Sequence, residues 1–223
     1  MRILVVIPSF TGWMRKELLA TMMEYMIDKR YKKTIVFIKG RPLEESLNIG
    51  ADMCLGNYKE NPKIDIAYSD FDDFENGYDF MLVNDDDNVP LDNFLDLCEL
   101  DKDLLFMPYP IMQQYDINKN PIRWGILCDD PKGKGLQQVE AGASGAMMVA
   151  RRVLEKLKQP IFKRTYSEED GHVTRGVDYR FSDDVREAGF EIWCNWDRRA
   201  THWNPTELFA MFVGFQNYFT KDK

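Results

Sequence analysis

Phe80-Met81-Leu82-Val83-Asn84-Asp85-Asp86-Asp87 passes from an unbroken apolar run to three adjacent carboxylates within two residues. Short apolar runs of this kind suit a strand buried on both faces of a parallel sheet. Residues 78–83 are therefore expected to form such a strand, with the acidic run at its carboxyl end. Ligands of open α/β sheets bind beyond the carboxyl ends of the strands. Adjacent carboxylates repel one another unless a cation lies among them. Mg²⁺ or Mn²⁺ takes one or two carboxylates plus substrate phosphates. If the chain stays extended, Asp85 and Asp87 point one way and Asp86 the other. The competing reading is a plain acidic turn. The apolar residues directly before the run favour the metal.

Outward from this stretch, residues 3–7 form another unbroken β-branched run, closed by Pro8, which cannot donate to a sheet ladder. Residues 11–29 carry Leu18, Leu19, Met22, Met23 and Met26 at the spacing of an amphipathic helix. A strand over 34–38 and a helix over 42–55, with Pro42 in its first turn, complete a β-α-β-α opening. That pattern predicts an α/β domain with a mostly parallel central sheet flanked by helices, Rossmann-like in its N-terminal half. Further strands are expected at 64–68, 104–107, 146–150 and 190–194. Helices are expected at 90–97, 151–157, 178–188 and 206–219, the third stopped by Gly189. Periodicity is lost between 111 and 138, and a long irregular segment in a compact domain is usually functional or mobile. No repeat or linker interrupts the chain, so 1–223 reads as one domain.

Composition narrows the function. Hydrophobic residues make up 44% of the 223, enough for a real core. Against 37 acidic residues stand 29 basic ones, a net charge of −8, which leaves no footprint for a nucleic acid or an anionic membrane. Lys156, Lys158, Lys163 and Arg164 are the best local basic cluster and read as a solvated helix end and loop. Cys54, Cys98, Cys128 and Cys194 form no CxxC pair, which argues against a zinc or disulfide framework and fits a reducing cytoplasm. The apolar start is too short for a signal peptide, and no segment reaches the ~18 apolar residues of a membrane span.

Three other places carry candidate chemistry. His202 stands in Ala200-Thr201-His202-Trp203-Asn204, where the commoner reading is a packed structural histidine. His172 reads as a loop residue. Glu140-Ala141-Gly142-Ala143-Ser144-Gly145-Ala146 is small enough for a ligand to approach the backbone, but it is not a P-loop, and a tight turn explains it equally. Asp178 begins a helix. It is either a cap or a catalytic carboxylate kept ionised by the helix terminus. Asp183 and Asp184 follow more than a turn later and read as solvent-facing.

Taken in order, these pieces resemble a GT-A-fold glycosyltransferase of the family 2-like group. Val6-Ile7-Pro8-Ser9-Phe10 resembles the turn that packs on the nucleotide base. Gly40-Arg41-Pro42-Leu43-Glu44-Glu45-Ser46-Leu47-Asn48 resembles the G-x-P-x-x-x-A-R-N segment, with Ser-Leu in place of Ala-Arg. The Asp85 run resembles the DxD motif. Gly145 to Glu155 and Pro160-Ile161-Phe162 follow the family order. Asp178 precedes Arg186-Glu187-Ala188-Gly189-Phe190-Glu191-Ile192 as the acceptor-side G-E-D motif would, with Val177 in place of its Glu.

The resemblance implies a single GT-A-type domain whose residues 1–107 bind the nucleotide sugar and whose residues 108–223 bind the acceptor. It implies Mn²⁺ or Mg²⁺ on Asp85, Asp87 and His202. Pro8, Ser9, Phe10, Arg41, Asn48, Asp86 and Gly145, with Asp85, would meet the nucleotide sugar, UDP-linked by preference. Asp178 would be the base, and Tyr115 and Trp124 would stack on the acceptor, which is a glycan, a small molecule or a modified nucleobase. The expected setting is cytoplasmic, as in a minimal or phage-encoded enzyme. Two alternatives stay open: a catalytically inactive nucleotide-sugar-binding module, and a sugar-1-phosphate nucleotidyltransferase, though Ser9-Phe10-Thr11-Gly12-Trp13 lacks that enzyme's basic glycine-rich loop. A glycoside hydrolase would need separated carboxylates rather than adjacent ones.

Overall fold

β1 (Arg2–Ser9), α1 (Lys16–Ile27), β2 (Lys32–Lys39), α2 (Leu43–Leu55), β3 (Ile64–Ser69) and β4 (Phe80–Asn84) open the chain. β5 (Asn88–Pro90), a 3-10 helix (Phe94–Leu100) and β6 (Leu104–Phe106) follow. Then come β7 (Pro110–Met112), β8 (Ile122–Trp124), β9 (Ile126–Leu127), β10 (Leu136–Gln138), β11 (Ala141–Gly142) and β12 (Ala146–Ala150). α3 (Arg151–Lys156), β13 (Thr165–Tyr166), β14 (Val173–Arg175), α4 (Val177–Glu187), β15 (Ile192–Asn195) and β16 (Ala200–His202) complete it. This computed structural model describes residues 1–59, 64–71, 75–112 and 122–202. The helix expected at 206–219 and Tyr115 lie outside the described residues.

One sheet of eight strands, in the order β10-β15-β6-β12-β4-β1-β2-β3, spans the molecule. β1, β2, β4, β6 and β15 run one way, and β3, β12 and β10 run against them. The sheet is thus mostly parallel and flanked by helices, as the sequence pattern predicts. β12, from the second half of the chain, is inserted between β4 and β6, so both halves share one sheet.

Alternation along the strands separates two apolar layers. Leu4 and Val6 of β1, Met81 and Val83 of β4, and Met147 and Val149 of β12 face a layer with α2, α3 and α4. Ile3, Val5, Ile7, Leu82 and Met148 face α1 and the 3-10 helix. Burying each such side chain contributes about 1.5–3 kcal/mol. α2 lies so close to β1 that a Cβ on Gly50 would fall 2.8 Å from Val6 Cγ2. Any larger residue there would push helix from sheet.

Several expectations are corrected. β1 continues through Pro8 to Ser9 instead of closing at Pro8. The Ser9 carbonyl accepts from Gly40 N on the β2 side, so the Pro8 nitrogen faces β4, whose pairing with β1 has already ended at Val83. α1 begins at Lys16 rather than residue 11, because the Ser9 hydroxyl ties down the preceding loop, accepting from Gly12 N and meeting Trp13 O. Where a helix was expected at 90–97, β5 comes first, and a 3-10 helix follows Asn93, whose side chain accepts from Leu95 N. Among the described residues of 111–138, short strand pieces of β7, β8, β9 and β10 stand where irregularity was expected. Between α3 and α4, β13 and β14 pair as a hairpin.

Candidate active site

β1, β2 and β4 are parallel neighbours, so Ser9, Lys39 and Asp85 all emerge at one end of the sheet. The acidic run there is a turn, not an extended continuation of β4. Asn88 N donates to Asp85 O at 3.1 Å. The buried Asn84 amide clamps the turn, donating to Asp85 O at 3.0 Å and Asn88 O at 2.7 Å. The three carboxylates therefore fan out instead of alternating. Asp86 lies within hydrogen-bonding reach of the Ser9 hydroxyl, whose single proton also faces Trp13 O. Asp87 accepts from Asn88 Nδ2 at 3.2 Å. Asp85 N donates to Gly145 O at 3.0 Å, which brings the start of β12 alongside.

His202 reaches this turn through a two-stranded antiparallel ribbon. β16 pairs with β5 in the register His202↔Asn88, Thr201↔Val89, Ala200↔Pro90. His202 Nε2 then stands 3.4 Å from Asp87 Oδ2. Two ligands with bonds of ~2.1 Å to one cation, near octahedral or tetrahedral angles, stand about 3.0–3.5 Å apart. Tyr109 packs its ring against His202 at 5.4 Å between centroids. Its hydroxyl accepts from Gly145 N at 3.1 Å.

The electrostatics are those of a cluster short of positive charge. Asp85 Oδ1 is enclosed and has no hydrogen-bond partner among the described residues, and the same holds for Asn84 Oδ1 and Asn88 Oδ1. Burial, and then Asp87, Asp86 and Asp178 in turn, push the Asp85 carboxyl up to about 8, with His202 opposing. Burial also raises Asp86, against the Ser9 hydrogen bond. The Tyr109 phenol is raised, first by burial and then by Asp85 and Asp178. A divalent cation reverses this balance and leaves the carboxylates ionised. Among the described residues, no three His, Cys, Asp or Glu side chains are already gathered at ligand distance. The donor set of two carboxylates and an imidazole still fits a hard cation whose remaining ligands are phosphate oxygens and water.

Asp178 sits in the first turn of α4 and faces this cluster. Its carboxylate accepts from its own helix at Tyr179 N, 3.0 Å away, and from the backbone N–H of Ser144. Burial raises its pKa, and these two donors oppose the rise. Asp183 and Asp184, by contrast, are held in ion pairs. Asp183 pairs with Arg175 at 2.8 Å and Arg186 at 2.6 Å, and Asp184 pairs with Lys163 at 3.1 Å and with Arg180. Asp178 is among the charges that raise the Asp85 carboxyl.

The other sequence candidates divide. Phe10 is 74% exposed, next in sequence to Ser9, whereas Pro8 and Ser9 are buried. Gly145 is where only hydrogen fits: a Cβ would lie 2.4 Å from Asn88 Nδ2 and 2.6 Å from the Tyr109 hydroxyl. Arg41 pairs with Glu45 in the first turn of α2. Asn48 is engaged structurally, donating to Glu44 O at 2.8 Å and Phe162 O at 2.7 Å while accepting from Phe162 N at 3.0 Å. That role explains Asn48 without a nucleotide. Trp124 is half-exposed, edge-on to Trp196 at 5.8 Å, with the Arg199 guanidinium 5.5 Å from its ring centre. His172 is exposed in the β13–β14 hairpin. A shallow cavity of about 440 Å³ beside β10, lined by Asp130, Lys132, Glu140 and Arg186 among others, shares no residue with the carboxylate cluster.

Sequence reasoning missed Tyr109, Asn84 and Asn88. The two asparagines flank the acidic run, and Tyr109 stands between two prolines. Each was a polar or aromatic residue beside an expected strand end.

The sequence matches no protein-family model and no curated protein. Among solved structures, the chain is similar to A197 from STIV over 92% of its own length and 86% of that chain, with 18% identity and a TM-score of 0.62. That likeness concerns the fold and is consistent with the GT-A-like architecture. GalNAc-T7, solved with UDP, GalNAc and Mn²⁺, matches 89% of this chain and 43% of that one, with 10% identity and a TM-score of 0.48, too loosely to bear on function. Among the described residues, no helix is long and apolar enough to cross a membrane.

Proposed function

We propose that the chain is a metal-dependent glycosyltransferase, moving a sugar from a nucleotide-sugar donor, UDP-linked by preference, to a hydroxyl acceptor. The observation that carries this reading is the enclosed, unpartnered Oδ1 of Asp85 beside Asp86, Asp87, Asp178 and His202 at the carboxyl end of a central strand. Carboxylates so gathered suit a site completed by a divalent cation and a phosphate-bearing ligand.

In this reading Asp85, Asp87 and His202 hold Mn²⁺ or Mg²⁺. The bound cation supplies Lewis acidity that neutralises the departing diphosphate. Asp87 and His202 are held in place by the β5–β16 ribbon and the Tyr109 ring. Phe10 offers a ring face to the nucleobase, on a loop tied to Asp86 through Ser9. The small residues Ala143, Ser144 and Gly145 let the donor sugar approach the backbone. Asp178, fixed by Tyr179 N and Ser144 N, takes the proton of the acceptor hydroxyl. Trp124 is the candidate surface for the acceptor, which is a glycan, a small molecule or a modified nucleobase.

The test is a thermal-shift series with UDP-, GDP-, CMP- and dTDP-sugars, with and without Mn²⁺. A ligand at 100 times its Kd stabilises by ~2.7 kcal/mol. Asp87→Asn should remove the Mn²⁺-dependent part of the shift, and an unchanged shift would overturn the metal assignment. Donor hydrolysis by the pure protein separates an enzyme from a binding module, which would bind without turnover.

A further inference from the structure

Asn88 opens β5 and is 1% exposed, although its side chain is polar. Every polar atom of it but one is engaged at the acidic turn. Its N–H donates to Asp85 O at 3.1 Å. Its backbone carbonyl accepts from Asn84 Nδ2 at 2.7 Å. Its side-chain Nδ2 donates to Asp87 Oδ1 at 3.2 Å, while the other Asp87 oxygen, Oδ2, stands 3.4 Å from His202 Nε2. The remaining atom, Asn88 Oδ1, is enclosed and has no hydrogen-bond partner among the described residues.

The neighbours fix the orientation of this amide. Exchanging its oxygen and nitrogen would set Oδ1 against Asp87 Oδ1, two acceptors with no proton between them. Nδ2 therefore faces Asp87, and Oδ1 is turned away from it. Asn88 and His202 stand directly opposite each other in the β5–β16 ribbon. Opposed residues of an antiparallel pair project from the same face, with Cβ atoms ~5 Å apart. On a third side lies Gly145, where a Cβ would fall 2.4 Å from Asn88 Nδ2. The amide thus sits among Asp87, His202 and Gly145. A buried polar atom left without a partner costs about 1–3 kcal/mol. That cost falls away when a cation takes the lone pair, and Asn carbonyl oxygens ligate hard cations.

We propose that Asn88 is a fourth protein donor of the cation site, its Oδ1 ligating the ion that Asp85, Asp87 and His202 hold. This role rests on the metal reading above and adds to it a choice of ion. Four protein donors and two phosphate oxygens complete the octahedral shell of Mn²⁺ or Mg²⁺. Zn²⁺ is commonly four-coordinate and is satisfied by two carboxylates, an imidazole and one further oxygen, without the amide. Asn88 then favours octahedral ions over zinc.

The test is the Mn²⁺ affinity of the full chain, read from the electron paramagnetic resonance signal of the free ion, beside its Zn²⁺ affinity, read by competition with a chromophoric chelator. Asn88→Ala should weaken Mn²⁺ binding ~10-fold or more and Zn²⁺ binding by a much smaller factor. Asn88→Asp returns an oxygen to the same place and should hold Mn²⁺ at least as tightly as the wild type. It decides the matter if Asn88→Ala does not fold. Equal losses for both ions would overturn the role, because Asn88 would then act only through its hydrogen bond to Asp87. Unchanged Mn²⁺ binding by Asn88→Ala would overturn it too, since a buried water would then satisfy Oδ1. So would weaker Mn²⁺ binding by Asn88→Asp. Asp87→Asn keeps the two readings apart: if it abolishes Mn²⁺ binding while the Asn88 variants bind as the wild type does, the metal site stands and Asn88 is not part of it. A wild type that binds no Mn²⁺ removes both.

Discussion

Replacing Asp85 by Asn should stabilise the protein when metal is withheld and remove its response when metal is supplied. The carboxyl is raised from 3.8 to about 8 by burial and by its acidic neighbours. An acid whose folded pKa is raised holds a proton that the unfolded chain releases, so stability is lost as pH rises from about 4 to about 8. At pH 7 roughly three units of that difference act, each worth 1.36 kcal/mol, which gives about 4 kcal/mol. Asp85 is only partly enclosed and an amide has hydrogen-bonding needs of its own, so about half, ~2 kcal/mol, is the expected gain. For a chain of this size that is ~4–8 °C in Tm. At pH 5 only about one unit acts, and the gain should shrink to ~1–3 °C. The assay is thermal denaturation of both proteins in chelator at pH 5 and pH 7, then at pH 7 with Mn²⁺. The wild type should gain with Mn²⁺ and Asp85→Asn should not. A variant less stable than wild type in chelator at pH 7, or a gain equal at both pH values, would refute the reasoning.

Gly145→Ala should lower Tm by ~4–8 °C, since overpacking against the Asn88 amide and the Tyr109 hydroxyl costs about 2 kcal/mol. An unchanged Tm would show that the contact yields freely. Tyr109→Phe removes the acceptor of the Gly145 N–H and should lose ~1–3 kcal/mol in chemical denaturation; an unchanged midpoint would show that this hydrogen bond is not needed. Asp178→Asn should abolish transfer while keeping the Mn²⁺-dependent shift, and loss of both would make Asp178 part of the metal site. Asp183→Asn breaks only partly exposed ion pairs, so it should shift stability by no more than ~1 kcal/mol and leave donor binding intact.

What the sequence made legible depended on how local the signal was. β1, β4 and β12 are unbroken apolar runs because both their faces are buried, and they were readable for that reason. β5 and β16 have three residues each, too few for a period, and their reality lies in pairing with each other. The start of α1 was misread because Ser9 acts through a side-chain hydrogen bond that hydropathy does not record. Asp85 and Asp87 stood out by charge at a strand end, whereas the turn that fans them apart depends on the Asn84 amide. Asn48 had the motif position of a ligand-binding residue, and its hydrogen bonds to Phe162 appear only in three dimensions. His202 had no local mark. Only the order of motifs pointed to it, and only the ribbon brings it to Asp87.

The ribbon also sets when the site comes into being. Thr201 and Val89, which it joins, are 112 residues apart in sequence. Closing so long a loop is entropically unfavourable before its contacts form, so such pairings tend to come late in folding. A nascent chain that has made β4 presents an acidic turn without its imidazole, and only the arrival of β16 completes the donor set. A ligand that needs all three side chains would bind the finished fold and not its precursors. It would draw the equilibrium toward closure of the ribbon, and metal-dependent protection of β16 from hydrogen exchange would then report that the last strand has docked.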